Sequence, residues 1–246
     1  SAASDVYKRQ YAKKLPLVGV HHIEGHVSAN YIEHPDLEPP FLCAIVSGGH
    51  THLVIVKDYG QFEILGRTRD DAAGEAFDKA ARAMGFQYPG GVHIDRAAKQ
   101  GDAKKYKLPR PATKNPYDFS FSGLKTAVIN LIHNNEQKGI ETDVNSLAAC
   151  FQDTITSILA EKFMAAADEL GYTKLALAGG VAANSMLRDK LSEMASACGK
   201  QFYMPDISLC GDNAAMIGCQ GYYEYLAGNT ADMSLNAYAT KKLHML

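Results

Sequence analysis

Two short apolar runs each end on a pair of glycines, FLCAIVSGG at 41–49 and KLALAGG at 174–180. Four to six consecutive apolar residues bounded by glycine read as a buried strand. A glycine pair at the strand end lets main-chain N–H groups turn toward an anion and lets a ligand approach the backbone. The second run leads directly into a helical pattern, VAANSMLRDKLSEMASACG. A helix that opens on such a turn presents free N–H groups and the positive end of its dipole to a phosphate or ribose. Strands alternating with helices in this way imply an α/β layered fold.

The flanking segments extend that pattern. Residues 16–20 (PLVGV) read as a short strand and residues 22–33 as a helix, with strands predicted after 50 and after the Tyr-Gly turn at 59–60. RDDAAGEAFDKAARAMG has acidic residues at its start, apolar residues at helical spacing and Gly85 as a stop. Residues 87–123 read as loop-rich, with YPGG at 88–91 as a turn or a turn leading into a capped helix. A long helix is predicted over about 144–170, a short strand at QFYM, and a last helix over 211–227.

The chain has 246 residues, enough for one large domain or two modest lobes. Its net charge of −2 gives no global field to recruit nucleic acid. Its five cysteines form no CxxC and are read as reduced thiols of a cytoplasmic protein. No run of about 18 apolar residues suggests a membrane span, and no signal peptide is predicted. The first ten residues, SAASDVYKRQ, are predicted to be foreign to the fold.

VHHIEGHVSAN at 20–30 holds three histidines. His22 and His26 are four apart, so on a helix they share one face and can chelate a divalent metal. They could equally sit in a polar core or on the surface. A protease of the HExxH type requires Glu directly after the first histidine. Glu24 stands two residues after His22 and is turned away from that face, so it is poorly placed as a base. Asp212, in GDNAAMIG, reads singly as a helix N-cap. Asp95, after YPGG, is a carboxylate available to sugar hydroxyls.

Seven motifs occur in order: HHIEGH, SGGHT, DDAAGEAFDKAAR, YPGG, FSFSGLKT, AGGVAAN and DNAAMIG. Together they make the chain resemble the TsaD family of tRNA N6-adenosine threonylcarbamoyltransferases, formerly labelled glycoprotein endopeptidases, over about residues 12–240. The resemblance implies a two-lobed actin/Hsp70/sugar-kinase (ribonuclease H-like) fold around a nucleotide cleft. It implies transfer of a threonylcarbamoyl group from threonylcarbamoyl-adenylate to N6 of the adenosine beside the anticodon, with release of AMP. His22, His26 and Asp212 match the family's metal ligands, implying one Fe(2+) per subunit, with zinc as the other candidate. Ile45, Val46, Ser47, Gly48 and Gly49 match its substrate loop. Asp78, Gly91, Asp95 and Asn184 match its other substrate contacts. Partners of the TsaB and TsaE type are implied as well. Beyond the metal residues, no catalytic side chain is assigned.

Against the family pattern, about ninety residues that come first in the family are missing here, so the chain reads as N-terminally shortened. Residues 11–40 are then a remnant of the first lobe carrying the metal histidines. Residues 41–246 are the second lobe, with the last helix packing back on the first. His52 stands where Gln or Glu is usual, and Gly211 where Thr is usual. The other functional readings are a nucleotide-binding ATPase or kinase-like domain and a non-catalytic scaffold for partner subunits. Finally, KKYKLPRPATK at 104–114 is predicted to be an exposed basic loop able to contact tRNA phosphates, with Tyr106 free to stack on an unpaired base.

Overall fold

The computed structural model describes residues 2–238 and Leu243, with residues 2–7 described by backbone alone. Its centre is a five-stranded sheet: β1 (Phe41–Val46), β2 (Thr51–Asp58), β3 (Gln61–Arg67), β4 (Lys174–Ala178) and β5 (Gln201–Tyr203). The strand order is β3-β2-β1-β4-β5. The first three strands pair antiparallel through tight turns, whereas β1, β4 and β5 run parallel. Parallel pairing requires long crossovers, and the segments before and after β4 supply them as helices.

Strand alternation divides the sheet into two buried faces. Leu42, Ala44, Val46, Leu53, Ile55, Leu175 and Leu177 face one layer. That layer holds α3 (Ala73–Ala83), α4 (Gly90–Ala98), α5 (Ser122–Gln137), α6 (Val144–Glu169) and α7 (Ser185–Ala197). Phe41, Cys43, Ile45, Val54, Val56, Ala176 and Ala178 face the other layer, which is covered by α2 (His22–Glu33). After a short α8 (Ile207–Cys210), α9 (Ala214–Leu226) packs along α2. Tyr223 of α9 stacks on Tyr59 of the β2–β3 turn at 4.1 Å, and both meet Tyr31 of α2 edge-on. α6 is buried on most of its surface because it lies between the sheet layer and α4, α5 and α7. Its first turn is closed by Asp143, whose side chain accepts the Ser146 N–H.

Several expectations are corrected. Residues 16–20 form no strand; they contribute a single bridge, Leu17 to Ala231. The segment expected to be foreign to the fold lies, from residue 2 on, in α1 (Ala2–Lys13), which runs across residue 10, and Gln10 is buried. The loop-rich stretch contains α4, because Pro89 occupies the N-cap position and the two glycines form the first helical turn. The tight packing there suits glycine, since a Cβ on Gly90 would stand 2.5 Å from Ala81 Cβ. The RDD run is not part of α3. Asp70 is drawn across to the start of α5, where its carboxylate accepts the N–H groups of Phe121 and Ser122 and the hydroxyls of Ser120 and Ser122. It therefore caps, from a distance in sequence, a helix whose own N-cap residue, Phe121, offers no side-chain acceptor.

Partial burial pushes the Asp70 carboxyl up, but these hydrogen bonds outweigh it and hold it below its ordinary value. The carboxylate's contribution is therefore present above the ordinary carboxylate range and is lost as pH falls through the lowered value. Asp70→Ala is expected to lower the unfolding free energy at pH 7 by about 1–2 kcal/mol. Urea titrations should show the gap to the unsubstituted chain shrinking on acidification.

Candidate metal centre and nucleotide cradle

The parallel strands β1 and β4 end side by side, and both glycine turns therefore emerge at one edge of the sheet. Gly179 leaves β4 at φ +93°, and a Cβ there would stand 2.4 Å from the Val46 carbonyl oxygen. Glycine is required both by the dihedral and by the contact. On the other side, Gly74 in the first turn of α3 donates its N–H to the Ser47 carbonyl (3.2 Å). Its missing side chain would meet Ser47 O at 2.7 Å. Ser47 Oγ accepts the His50 N–H (3.1 Å), closing the turn. Gly48, Gly49, Gly91 and Gly180 are different: a Cβ on any of them would meet nothing within 4 Å. Their backbones face open space, as a phosphate or ribose cradle needs.

The remaining predicted contacts surround this edge. Ile45 and Val46 have fully buried side chains on opposite faces of the sheet, so only their main chain is available to a ligand. Asp78, on α3, accepts the Gly90 N–H at 2.8 Å and so ties α3 to α4 just before Gly91. Asp95 lies one turn beyond Gly91 on α4. Asn184 follows a 3-10 turn (Gly180–Ala183) after the second glycine pair and caps α7, its Oδ1 accepting the Leu187 N–H at 3.0 Å. A groove of about 500 Å³ between α3 and α5 is lined by Lys79, Arg82, Lys125, Ile129 and Ile132 among others, and holds none of the predicted site residues.

His22, His26 and Asp212 come together. Both imidazole Nε2 atoms face one oxygen of Asp212, His22 at 3.3 Å and His26 at 3.4 Å. One ligand atom from each residue falls within 4.8 Å of the others. Asp212 is not the N-cap that its position suggested. Asn213 takes that role, accepting the Met216 N–H at 2.8 Å, and leaves the Asp212 carboxylate to the histidines. His21 caps α2, its Nδ1 accepting the Ile23 N–H, and points elsewhere as expected. The Glu24 side chain is buried toward α9, where Gln220 Nε2 reaches it at 3.5 Å, well away from a base's position. Gln220 also accepts from the Ser28 hydroxyl and donates to Glu224. This buried network, which sequence patterning alone gave no reason to expect, fixes the helix carrying two of the three residues against the helix that follows the third.

His26, His50 and His52 are all held below the ordinary histidine value. Burial lowers the His26 pKa, His22 lowers it further, and Asp212 opposes both. Burial likewise lowers the pKa of His50, helped by His22 and His21. His52 is pushed down to about 4, first by burial and then by His50, Arg67 and His21. The basic loop at 104–114 is exposed at each of its cations, but Lys105 pairs with Asp143 and Arg110 with Glu161. Tyr106 is not free to stack. Its ring packs against the core, its hydroxyl accepts the Asp143 N–H, and its carbonyl accepts from the Cys150 thiol.

Residues 8–219 match the family described as TsaD, tRNA N6-adenosine threonylcarbamoyltransferase. The chain belongs to the TsaD family. A tRNA N6-adenosine threonylcarbamoyltransferase of Clostridioides difficile (strain 630) is 54% identical over 235 residues, covering 95% of this chain and 70% of that protein. One from Clostridium botulinum (strain Kyoto / Type A2) is 49% identical over 241 residues, covering 95% and 71%. In fold the TsaD-family chain resembles a HypF crystal structure from T. kodakarensis, with a TM-score of 0.65 at 13% identity over 92% of this chain and 39% of that one. A full-length HypF structure gives the same TM-score at 16% identity, covering 89% and 37%. The ribonuclease H-like fold expected from the motifs is therefore the fold of this TsaD-family chain, as its mixed sheet also indicates.

A histidine whose folded-state pKa is lowered destabilises the fold as pH drops below its unfolded value near 6.5, because the unfolded chain takes up the proton first. For His52 that loss develops between about pH 6.5 and about 4. Its Nδ1 is buried without a hydrogen-bond partner among the described residues, so no local bond opposes replacement. In chelator-treated protein, His52→Gln should reduce the loss of stability between pH 7 and pH 5. It should not abolish that loss, because His26 and His50 titrate in the same direction. Equal slopes for the two proteins would disprove the assignment.

Proposed function

We propose that this chain carries out threonylcarbamoyl transfer to tRNA at the edge where β1 and β4 end, with the adenylate on the glycine turns and a metal ion on His22, His26 and Asp212. The transferase activity follows from family membership. The observation that carries the site assignment is the convergence of three ligand atoms from two distant parts of the sequence, with His50 of the first glycine turn close enough to His26 to act on it electrostatically.

The residues fit a metal. Asp212 Oδ1 lies 3.3 Å and 3.4 Å from the two histidine nitrogens, within the span open to donors that each stand about 2.1 Å from one shared ion. Burial keeps His26 in the neutral form that ligation requires. Two histidines and one carboxylate suit Fe(2+), with zinc as the alternative. When bound, such an ion would supply Lewis acidity toward the carbamoyl oxygen and help to hold the donor.

The chain's own residues account for the rest of the binding. Main-chain N–H groups at Gly48, Gly49 and Gly180 accommodate the adenylate phosphate, where no side chain intrudes. Asp95 accepts from a ribose hydroxyl. The acceptor is an exocyclic amine and a weak nucleophile, so positioning contributes a large part of the acceleration. Direct transfer is the simplest course: the adenosine N6 bonds to the carbamoyl carbon, the bond from that carbon to the phosphate oxygen breaks, AMP leaves, and N6 loses a proton to solvent. Cys210, the thiol nearest Asp212 in sequence, is buried, and burial raises its pKa despite Arg188 beside it, which suits it poorly as a nucleophile. The transfer reaction accounts for the histidine–aspartate set, which a plain ATPase or kinase reading leaves without a role. Partners of the TsaB and TsaE type and a cytoplasmic location complete the proposal. Among the described residues, no helix is long and apolar enough to cross a membrane.

His22→Ala and His26→Ala together should remove stoichiometric iron or zinc, as read by elemental analysis, while the circular dichroism spectrum is retained. Undiminished metal in the double variant would rule the site out.

Gly48→Ala separates ligand binding from folding. The added methyl meets no neighbour, so thermal stability should change little, yet it enters the space assigned to phosphate. AMP affinity measured by calorimetry should fall by about tenfold or more, and an unchanged affinity would move the nucleotide elsewhere.

A further inference from the structure

Gln152, on α6, is 1% exposed and was not singled out by any sequence motif. It sits between two of the residues assigned to the nucleotide. Its Oε1 accepts from Asn184 Nδ2 at 3.0 Å, and its Nε2 donates to Asp95 Oδ1 at 3.1 Å. The direction of this relay is fixed at both ends. Asn184 Oδ1 is committed to the backbone N–H of Leu187, so its amide nitrogen must face Gln152. Asp95 is a carboxylate and only accepts, so the nitrogen of Gln152 must face it. No amide flip satisfies both ends. Ser185 Oγ donates to the same Asp95 oxygen at 2.7 Å. With two donors on Oδ1, Asp95 has Oδ2 left, and among the described residues its ion-pair partner there is Lys99 at 3.5 Å, a mostly exposed side chain.

We infer that Gln152 is a positioning residue: it holds Asp95 as an oriented acceptor for a ribose hydroxyl and couples that carboxylate to the cap of α7 beside the second glycine turn. The inference rests on the nucleotide cradle described above. Three elements distant in sequence, α4, α6 and the start of α7, are registered through this one side chain. A glutamine suits the place because it offers one donor and one acceptor at opposite sides of a flat group. Glutamate there keeps the acceptor for Asn184 but sets a second acceptor against Asp95. Leucine keeps the approximate volume and removes both bonds.

The test is calorimetric titration of the chain and its Gln152→Glu, Gln152→Leu and Asp95→Asn variants with AMP, 2′-deoxy-AMP and 3′-deoxy-AMP. Removal of the hydroxyl that faces Asp95 should weaken binding to the unsubstituted chain by about tenfold. Gln152→Glu should weaken AMP by a similar factor yet leave the affinity for that one deoxynucleotide unchanged, since the contact it disturbs is already missing. Gln152→Leu should show the same pattern, so that one poorly folded variant does not decide the matter; melting curves identify such a variant. A uniform loss across all three nucleotides in both variants would make Gln152 a packing residue only and overturn the inference. So would full AMP affinity in both Gln152 variants while Asp95→Asn is weak. If Asp95→Asn itself binds all three nucleotides normally, the ribose assignment fails and the relay's proposed role fails with it.

Discussion

The contact between Gly179 and the Val46 carbonyl is the constraint on which the remainder of the site depends. Two parallel strands can end side by side with their turns touching only where one turn has no side chain and a positive φ. That contact brings the ends of β1 and β4 together. Gly74 then lets α3 close onto the first turn, and α3 carries Asp78, which ties in α4. An open α/β sheet offers its ligands the crevice beyond the carboxyl ends of its strands, and here that crevice is built from successive backbone approaches. The glycines divide by what surrounds them: some are needed because structure presses on them, others because nothing does.

The candidate metal corner is organised differently. The groups that could hold an ion are side chains, and their placement comes from packing between α2 and α9. Ser28, Gln220 and Glu24 form a buried polar seam between these helices, with the half-buried Glu224 at its border. Such a seam makes a contribution that depends strongly on satisfied partners, and it specifies one relative placement of the helices where apolar packing alone would allow sliding. At the corner itself His26 is held below its ordinary value, first by burial and then by the nearby His22.

Much of this was legible in the sequence, for identifiable reasons. The glycine-bounded apolar runs marked β1 and β4 because a fully buried strand has no polar face to confuse the pattern. His22 and His26 were readable as a pair because helical spacing fixes their shared face. What was missed depended on partners distant in sequence. Pro89-Gly90-Gly91 resembled a turn, and only the closeness of α3 explains why two glycines open a helix. Asp70 looked like the acidic start of the following helix, yet it caps another one some fifty residues later. Tyr106 lay among lysines and prolines and appeared free; its hydrogen bond to Asp143 and its place against the core come from α6. Asp212 resembled a cap because Asn213, the actual cap, stands beside it. Gln152 carried no signal at all, since a glutamine within a long apolar helix gains meaning only from what folds around it.

His26 and Asp212 lie near opposite ends of the chain and meet at the same few atoms. Anything that bridges them acts as a cross-link, closing a loop that holds everything between residues 26 and 212. The cost of closing a loop grows with its length, though slowly, so a bridge here restricts the unfolded chain more than a local clip between His22 and His26 alone. By linkage, an occupant that binds only the folded form adds stability in proportion to how tightly it is held. An occupied corner would act as a latch, so that the durability of the fold and the occupancy of the site would rise and fall together.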